Sequence, residues 1–462
     1  MSGTPYDLAV VGGGPAGLAG AAAATRAGLR VALIDGGARL GGQYFRHPAE
    51  GLHAANPAGP HHGFARFTRL REGVSERAEV FTRHRVWSVE RGEDGTVAVH
   101  CLVGDREERP RAITARRLLI ATGAYDRSLP FPGWDLPGVL TAGGAQALLK
   151  GDLVTAGRRV VVAGTGPFLL PVGAGLAAAG ARVLGVFEAA ALPGVARRAR
   201  LTPGKVAEAA GYALTLARHR TPFRGGHAVI AAHGGTELTH VTLAQVDADW
   251  HPLRTRVIAC DTLAVGYGFV AQLDLPVQLG CATVPGADGD PVVAVDAGLR
   301  TSVPGVYAAG ETTGVGGSEL AEVEGLIAGR TAAADLGRAV APAPALSARR
   351  DRLAAFAAAL ARAYPVRDGW MGWLRPDTLV CRCEEVPYAR VVEARELGAR
   401  DARAVKLLAR PGMGWCQGRV CGHAVARLAG ETPRPPRRPF AQPVRLGDLA
   451  ASGAEPSDER NP

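Results

Sequence analysis

Residues Asp7–Asp35 read DLAVVGGGPAGLAGAAAATRAGLRVALID, and this stretch decides the fold. An apolar run, Leu8–Val11, meets a cluster of glycines and then an alanine-rich segment of helical composition. A second apolar run, Val31–Ile34, ends in an acid. That order is strand, turn, helix, strand: a βαβ unit that binds dinucleotides. Each glycine has its own task. Gly12 permits the tight turn, Gly14 lets the backbone approach a pyrophosphate on the helix N-terminus, and Gly17 lets helix and strand pack closely. Pro15 and Ala16 begin the helix without adding bulk. Asp35, 18 residues beyond Gly17, stands where an acid accepts hydrogen bonds from a ribose diol.

The pattern recurs. Arg158–Glu188 reads RRVVVAGTGPFLLPVGAGLAAAGARVLGVFE, and a shift of 152 residues lays Gly12, Gly14, Pro15 and Gly28 on Gly164, Gly166, Pro167 and Gly180. The second copy is degraded. Leu169 replaces the third glycine, and Glu188 falls one residue beyond the position of Asp35. It is expected to hold NAD or another adenine nucleotide, or to have lost its ligand.

Composition narrows the class. The chain has 462 residues, 47% hydrophobic and 21% charged, enough for two or three domains with full cores. The net charge of +10 comes almost wholly from arginines spread along the chain, with short clusters at Arg197–Arg200 and Arg434–Arg438. That spread argues against a nucleic-acid partner. The opening MSGTPYDLAVVGGG has neither a basic region nor a cleavage site, so a cytoplasmic protein is expected. The uncharged stretch Val160–Ala181 mimics a membrane span, but its glycines and prolines fit a buried strand running into a helix. No integral membrane segment is expected.

Further motifs follow in order. They are GGQ at Gly41–Gln43, LLIATGAYDRSLPFPG at Leu118–Gly133, and TSVPGVYAAGETTGVGG at Thr301–Gly317. With the two glycine units they resemble the pyridine nucleotide–disulphide reductase superfamily across about Asp7–Leu336. The resemblance implies an α/β fold with two Rossmann-like dinucleotide-binding domains, the second inserted in the first. It implies FAD on the first unit and NAD(P) on the second, with Ala121, Thr122 and Gly123 as the crossover. Gly310 and Glu311 would form the segment whose acid holds the ribityl or pyrophosphate region; Glu stands there where Asp is commoner. Gln43 and Arg46, just after the double glycine Gly41–Gly42, are further candidates for cofactor contact. The histidines His47, His53, His61 and His62, in RHPAEGLHAANPAGPHH, read most plainly as a polar surface loop.

One departure from that superfamily concerns cysteine. Its disulphide reductases carry a redox cysteine pair near the first unit or in the second, and this chain has neither. Cys101, Cys260 and Cys281 are isolated and read as small core residues. The other four of the seven cysteines sit near the C-terminus, as Cys381-x-Cys383 and Cys416-x4-Cys421, separated by a helical stretch that would fold back to join them. Zinc knuckles favour two to four residues within a pair, so a one-residue spacer favours a [2Fe–2S] cluster over zinc. Neighbouring glycines (Gly412, Gly414, Gly418, Gly422) would free amides to bond sulfur. The segment resembles the bacterioferritin-associated ferredoxin type of [2Fe–2S] domain, although its second spacer of four is longer than the usual two.

The whole chain is similar to the α-type subunits of bacterial heteromeric FAD-dependent amino-acid dehydrogenases, a group that includes opine oxidase, hydrogen cyanide synthase and proline or hydroxyproline dehydrogenases. LPFPGWDLPGVLTAGGAQALLK, CDTLAVGYGF, GETTGVGGSELAEVEG and PGMGWCQGRVCG carry that likeness. It implies a partner β subunit that contains FAD and oxidises the amine, a small γ subunit in some complexes, and an FMN at a subunit interface, for which no motif stands in the sequence. The alternative is a stand-alone NAD(P)H-dependent reductase. The expected organisation is an FAD-binding domain in two parts, 1–150 and 285–340, around an inserted nucleotide domain, 151–284. A linker helix at 341–375, a small cysteine-ligated [2Fe–2S] domain at 376–431 and a Pro-rich tail at 432–462, free to wrap a neighbouring subunit, complete it.

Overall fold

Val11 and Gly164 each end a strand that is buried throughout, save Arg159 at the start of the second, and each strand is the centre of its own parallel sheet. The computed structural model describes residues 4–52, 56, 59, 61, 63–105, 108–191, 203–435, 437–438 and 440–453. In the first sheet the strands lie in the order Val306–Ala308, Leu118–Ile120, Leu8–Val11, Val31–Ile34, Glu79–Phe81. In the second the order is Val139–Thr141, Thr262–Gly266, Arg159–Gly164, Arg182–Glu188, Phe223–Gly225. All pairings in both are parallel, and strands buried on both faces read as continuous apolar runs. Each domain also carries a three-stranded antiparallel meander, at 84–115 and 227–259.

Sheet membership moves the expected domain edges. Val139–Thr141 pairs with Thr262–Gly266, so the second domain begins before residue 151. The chain leaves the first domain through Ala124–Asp126 and returns through Phe269–Ala271, which pair antiparallel, so the return precedes residue 285. A three-residue strand between glycines and prolines has no periodicity to betray it; only its pairing does.

The offset of Glu188 also has a structural cause. Between Val160 and Val161 the ladder shifts: Val160 faces Val183 and Val161 faces Gly185. That bulge absorbs the extra residue and brings Glu188 opposite Gly164.

Two helices, Pro15–Arg26 and Ser318–Asp335, cross at very close range. A Cβ on Gly325 would lie 2.0 Å from the Ala16 carbonyl oxygen, and one on Gly329 would lie 2.2 Å from that of Gly20. Glycine is the side chain that fits there. The contact fixes the GETTG turn against the first glycine turn.

The linker helix spans Pro344–Ala363. Beyond it, Leu379–Cys381 pairs with Val386–Pro387, and helices follow at Tyr388–Glu396, Ala402–Ala409 and Gly422–Leu428. The core of this cysteine lobe is continuous with that of the inserted domain through a layer of tryptophans, Trp134, Trp250, Trp370 and Trp373. Trp134 donates its indole N–H to the Leu379 carbonyl at 2.6 Å, and Trp373 donates to that of Trp250 at 3.1 Å. The first described part of the tail packs on its own chain: Ala441 N–H bonds the Trp87 carbonyl at 2.7 Å, Phe440 packs edge-on against Trp87, and Arg438 pairs with Asp274. Among the described residues no helix is long and apolar enough to cross a membrane.

Candidate functional site

The first glycine turn is built as tightly as its sequence suggests. Gly12 has φ +109°, and a Cβ there would sit 2.2 Å from the Ala121 carbonyl oxygen; one on Gly17 would sit 1.7 Å from that of Gly12. Gly14, extended at φ −77° and ψ −173°, caps the helix, with Pro15 in its first turn. A Cβ on Gly14 would find its nearest neighbour only at 3.8 Å, so the backbone there faces open space. Asp35 accepts from Gly13 N–H at 2.5 Å and Gly37 N–H at 2.6 Å. Burial raises its carboxyl above the ordinary aspartate value, against the pull of those two bonds and of Arg46.

Distant segments close on this turn. Gly41 donates its N–H to the Gly13 carbonyl at 2.8 Å, and a Cβ on Gly42, at φ +59°, would lie 2.8 Å from Gly14 Cα. Gln43 accepts from Arg46 at 2.7 Å. Ala121 N–H bonds Val11 O at 2.8 Å. Thr122 Oγ1 donates to Gln272 O at 3.2 Å, and Gly123, at φ +80°, accepts from Gln272 N–H at 2.9 Å. Gly310, at φ +79°, would press a Cβ against that of Ala16 at 2.9 Å. Glu311 accepts from Gly317 N–H at 2.9 Å, and loss of water around it pushes its carboxyl up to about 7. The structure thus brings Gly12–Gly17, Asp35, Gly41–Gly42, Ala121–Gly123 and Gly310 together around one cradle.

Sequence reasoning missed two residues here. Glu324, buried in the helix behind the cradle, accepts from Gly310 N–H at 2.9 Å, Thr313 Oγ1 at 2.7 Å and Arg350 Nε at 3.0 Å. An acid inside an alanine-rich helix was its only signal. Lys150 is buried, which pulls its ammonium down to about 8, and it sits 5.7 Å from the Tyr44 ring centre. Two histidines of the loop turn inward, although Gly51, Leu52, Asn56 and Gly59 between them are exposed. His47 is buried, and His61, drawn down to about 4 by burial, stacks on Phe64 at 5.2 Å. His53 and His62 lie outside the described residues, as do Arg197–Arg200.

The second turn keeps two of the glycines, Gly164 and Gly166, and is in a different state. Gly164, at φ +137°, packs on Gly266, and Gly166 has φ +116°. Glu188, 1% exposed, accepts from Thr165 Oγ1 at 2.7 Å, from Gly166 N–H at 2.8 Å and from Ala190 N–H at 2.8 Å. Burial nonetheless pushes its carboxyl up to about 7.

In the C-terminal lobe the four cysteines draw together, with Cys421 in the field of Cys381, Cys416 and Cys383. Cys381 accepts from Gly412 N–H at 3.4 Å, and the neighbouring Cys421 thiol together with that amide pulls the Cys381 thiol down to about 5. A Cβ on Gly414 would lie 2.6 Å from Cys383 Cβ, and one on Gly412 would lie 3.7 Å from Cys421 Sγ, so these glycines let the two loops close. Among the described residues no three His, Cys, Asp or Glu side chains converge on one point as a site for a single metal ion. Cys101, Cys260 and Cys281 are buried in cores, as their isolation suggested.

Two parallel sheets, each with a glycine turn at the end of its central strand, give the Rossmann-like α/β architecture of a flavoprotein oxidoreductase. The model of the family described as pyridine nucleotide-disulphide oxidoreductase matches residues 6–333, and the chain belongs to that family as an FAD-dependent oxidoreductase. Hydrogen cyanide synthase subunit HcnB of Pseudomonas aeruginosa is 36% identical over 447 residues, covering 92% of this chain and 93% of that one. The A-type opine oxidase subunit of Rhizobium meliloti is 32% identical, covering 96% and 98%. The crystal structure of L-proline dehydrogenase from P. horikoshii matches with a TM-score of 0.69 at 20% identity, over 96% of this chain and 79% of that one, a likeness of fold.

Proposed function

We propose that this chain is the cytoplasmic, FAD- and [2Fe–2S]-containing electron-transfer subunit of a heteromeric dehydrogenase. The partner would oxidise a secondary amine or D-amino acid of the opine, proline, hydroxyproline or glycine type. The observation that carries the reading is the gathering of the C-terminal cysteines around the Gly412 and Gly414 loop, on a chain whose remaining cysteines are core residues. The relatives' names support it: both are subunits, and one belongs to an opine oxidase.

The cradle fits FAD, because it leaves space where any side chain on Gly14 would stand. The Gly14–Pro15 helix N-terminus would hold the pyrophosphate, Asp35 the ribose, and the Gly310–Glu311 turn the ribityl region. Bound there, FAD supplies two-electron uptake and single-electron release. Cys381, Cys383, Cys416 and Cys421 would hold the cluster, with the Gly412 amide bonding sulfur.

Anaerobic purification, iron and zinc analysis, and an EPR spectrum after dithionite test the proposal. About two irons per flavin and the signal of a reduced [2Fe–2S] centre are expected. Stoichiometric zinc, or amine oxidation by this chain without a partner, would overturn it. NADH should bleach the flavin slowly, because Glu188 already occupies the Gly166 amide in the second unit; fast bleaching would favour the stand-alone reductase.

A further inference from the structure

Between the cysteine lobe and the flavin-side crossover lies a buried layer of charge that the reading above does not use. Asp274, 2% exposed, accepts from Arg438 and lies 3.2 Å from Arg419 Nη2. Asp290, 4% exposed, accepts from Arg127 at 2.7 Å and lies 3.2 Å from His423 Nδ1. Arg127 also pairs with Asp288 and donates to the carbonyls of Tyr267 and Phe269, each at 3.2 Å.

The ownership of these groups is informative. The carboxylates belong to the segment by which the chain re-enters the flavin domain. Arg419 and His423 flank Cys421 at two residues on either side, and Arg438 belongs to the tail. Tyr125, two residues after the crossover Gly123, lies in the field of Arg438, Asp274, Arg419 and Asp290. One layer of side chains therefore separates the crossover beside the cradle from the loop that bears Cys421.

Burying charge is a poor way to make domains adhere, because desolvation offsets most of the attraction. Adhesion is already provided elsewhere, by the tryptophan layer that docks the lobe on the inserted domain. What paired charges add is direction: each carboxylate meets its counter-charges in one relative orientation only. We infer that Asp274 and Asp290 are positioning residues that fix the cysteine lobe and tail against the crossover, and so set the separation between the cysteines and the flavin cradle. The inference rests on the proposed function only for the use made of that separation.

Hydrogen–deuterium exchange on the full-length holoprotein tests it, with Asp274→Asn, Asp290→Asn, Arg438→Gln and the Asp274→Asn/Arg438→Gln double variant. Removing one partner leaves buried cations uncompensated, so exchange in Ala124–Asp126, Phe269–Ala271 and the loop at 417–421 should accelerate by about a hundredfold in Asp274→Asn. The strands of the second sheet should not change. The double variant should fall short of the sum of its single effects, as coupled partners do. With flavin and iron contents and both spectra unaltered, the cysteine-lobe absorbance should bleach at least about tenfold more slowly once the flavin is reduced anaerobically. Asp290→Asn breaks the other half independently, should Asp274→Asn fail to fold.

Wild-type exchange in both aspartate variants would overturn the inference. So would accelerated exchange with an unaltered bleaching rate. A protein that carries no iron would refute the electron-transfer reading while leaving the exchange experiment decisive for the docking.

Discussion

The two dinucleotide units share strand order, turn glycines and a terminal acid, yet one is open and the other is satisfied by itself. In the first, the short carboxylate of Asp35 reaches Gly13 N–H; among the described residues Gly14 N–H has no acceptor. In the second, the β-bulge sets Glu188 opposite Gly164, and its extra methylene carries the carboxylate onto Gly166 N–H and the Thr165 hydroxyl. The amide that would meet a phosphate is thereby taken. A glycine fingerprint therefore specifies a turn. Whether the turn is free for a ligand depends on the reach of a side chain some 20 residues away.

Breaking the first unit at its tightest point should have the largest effect. Gly17→Ala drives a methyl into the Gly12 carbonyl, which helix and strand cannot relieve separately. We expect a loss of at least about 3 kcal/mol of stability and a protein that purifies without flavin, checked by urea unfolding and visible absorbance.

The second unit should respond to pH through its terminal acid. The carboxyl of Glu188 is raised from 4.5 to about 7, so between those values the unfolded chain ionises while the folded one stays protonated. Stability is fully present below about pH 4.5 and falls as pH rises to about 7, by about 3 kcal/mol from this group. Glu188→Gln should remove that share of the slope in urea titrations run at successive pH values, without changing flavin content.

The smallest effect is the one that sharpens the contrast. Asp35→Asn keeps an acceptor for one of the two backbone amides and sets an amide against the other. About a tenfold weaker hold on FAD, near 1.4 kcal/mol, is expected from fluorescence of released flavin. An Asp35→Asn protein that holds flavin as tightly as the wild type would show that the open unit does not depend on its acid.

Much of this was legible in the chain. Glycines betray themselves because steric demand is local: Gly12 and Gly164 have carbonyls at 2.2 Å and 1.8 Å from where a Cβ would stand, and no other residue type is tolerated at such turns. The four clustered cysteines stood out for the same reason, by spacing alone. Lys150, Glu324, Asp274 and Asp290 did not stand out. A single charged residue in an apolar context has no periodicity, and its partner lies far along the chain. In the histidine loop the sequence could not separate the residues that face solvent from His47 and His61, which pack among aromatic rings.

By itself the sequence determined two dinucleotide units, their order, and a separate lobe that concentrates cysteine. These rest on backbone sterics and hydrophobic period, which act within a few residues. Only the tertiary structure decided which glycine amide stays free, where the inserted domain begins, and that Arg438, Phe440 and Ala441 pack back on their own chain. It alone set Asp274 against Arg438, 164 residues apart, because a buried charge is tolerated only where the fold brings its counter-charge.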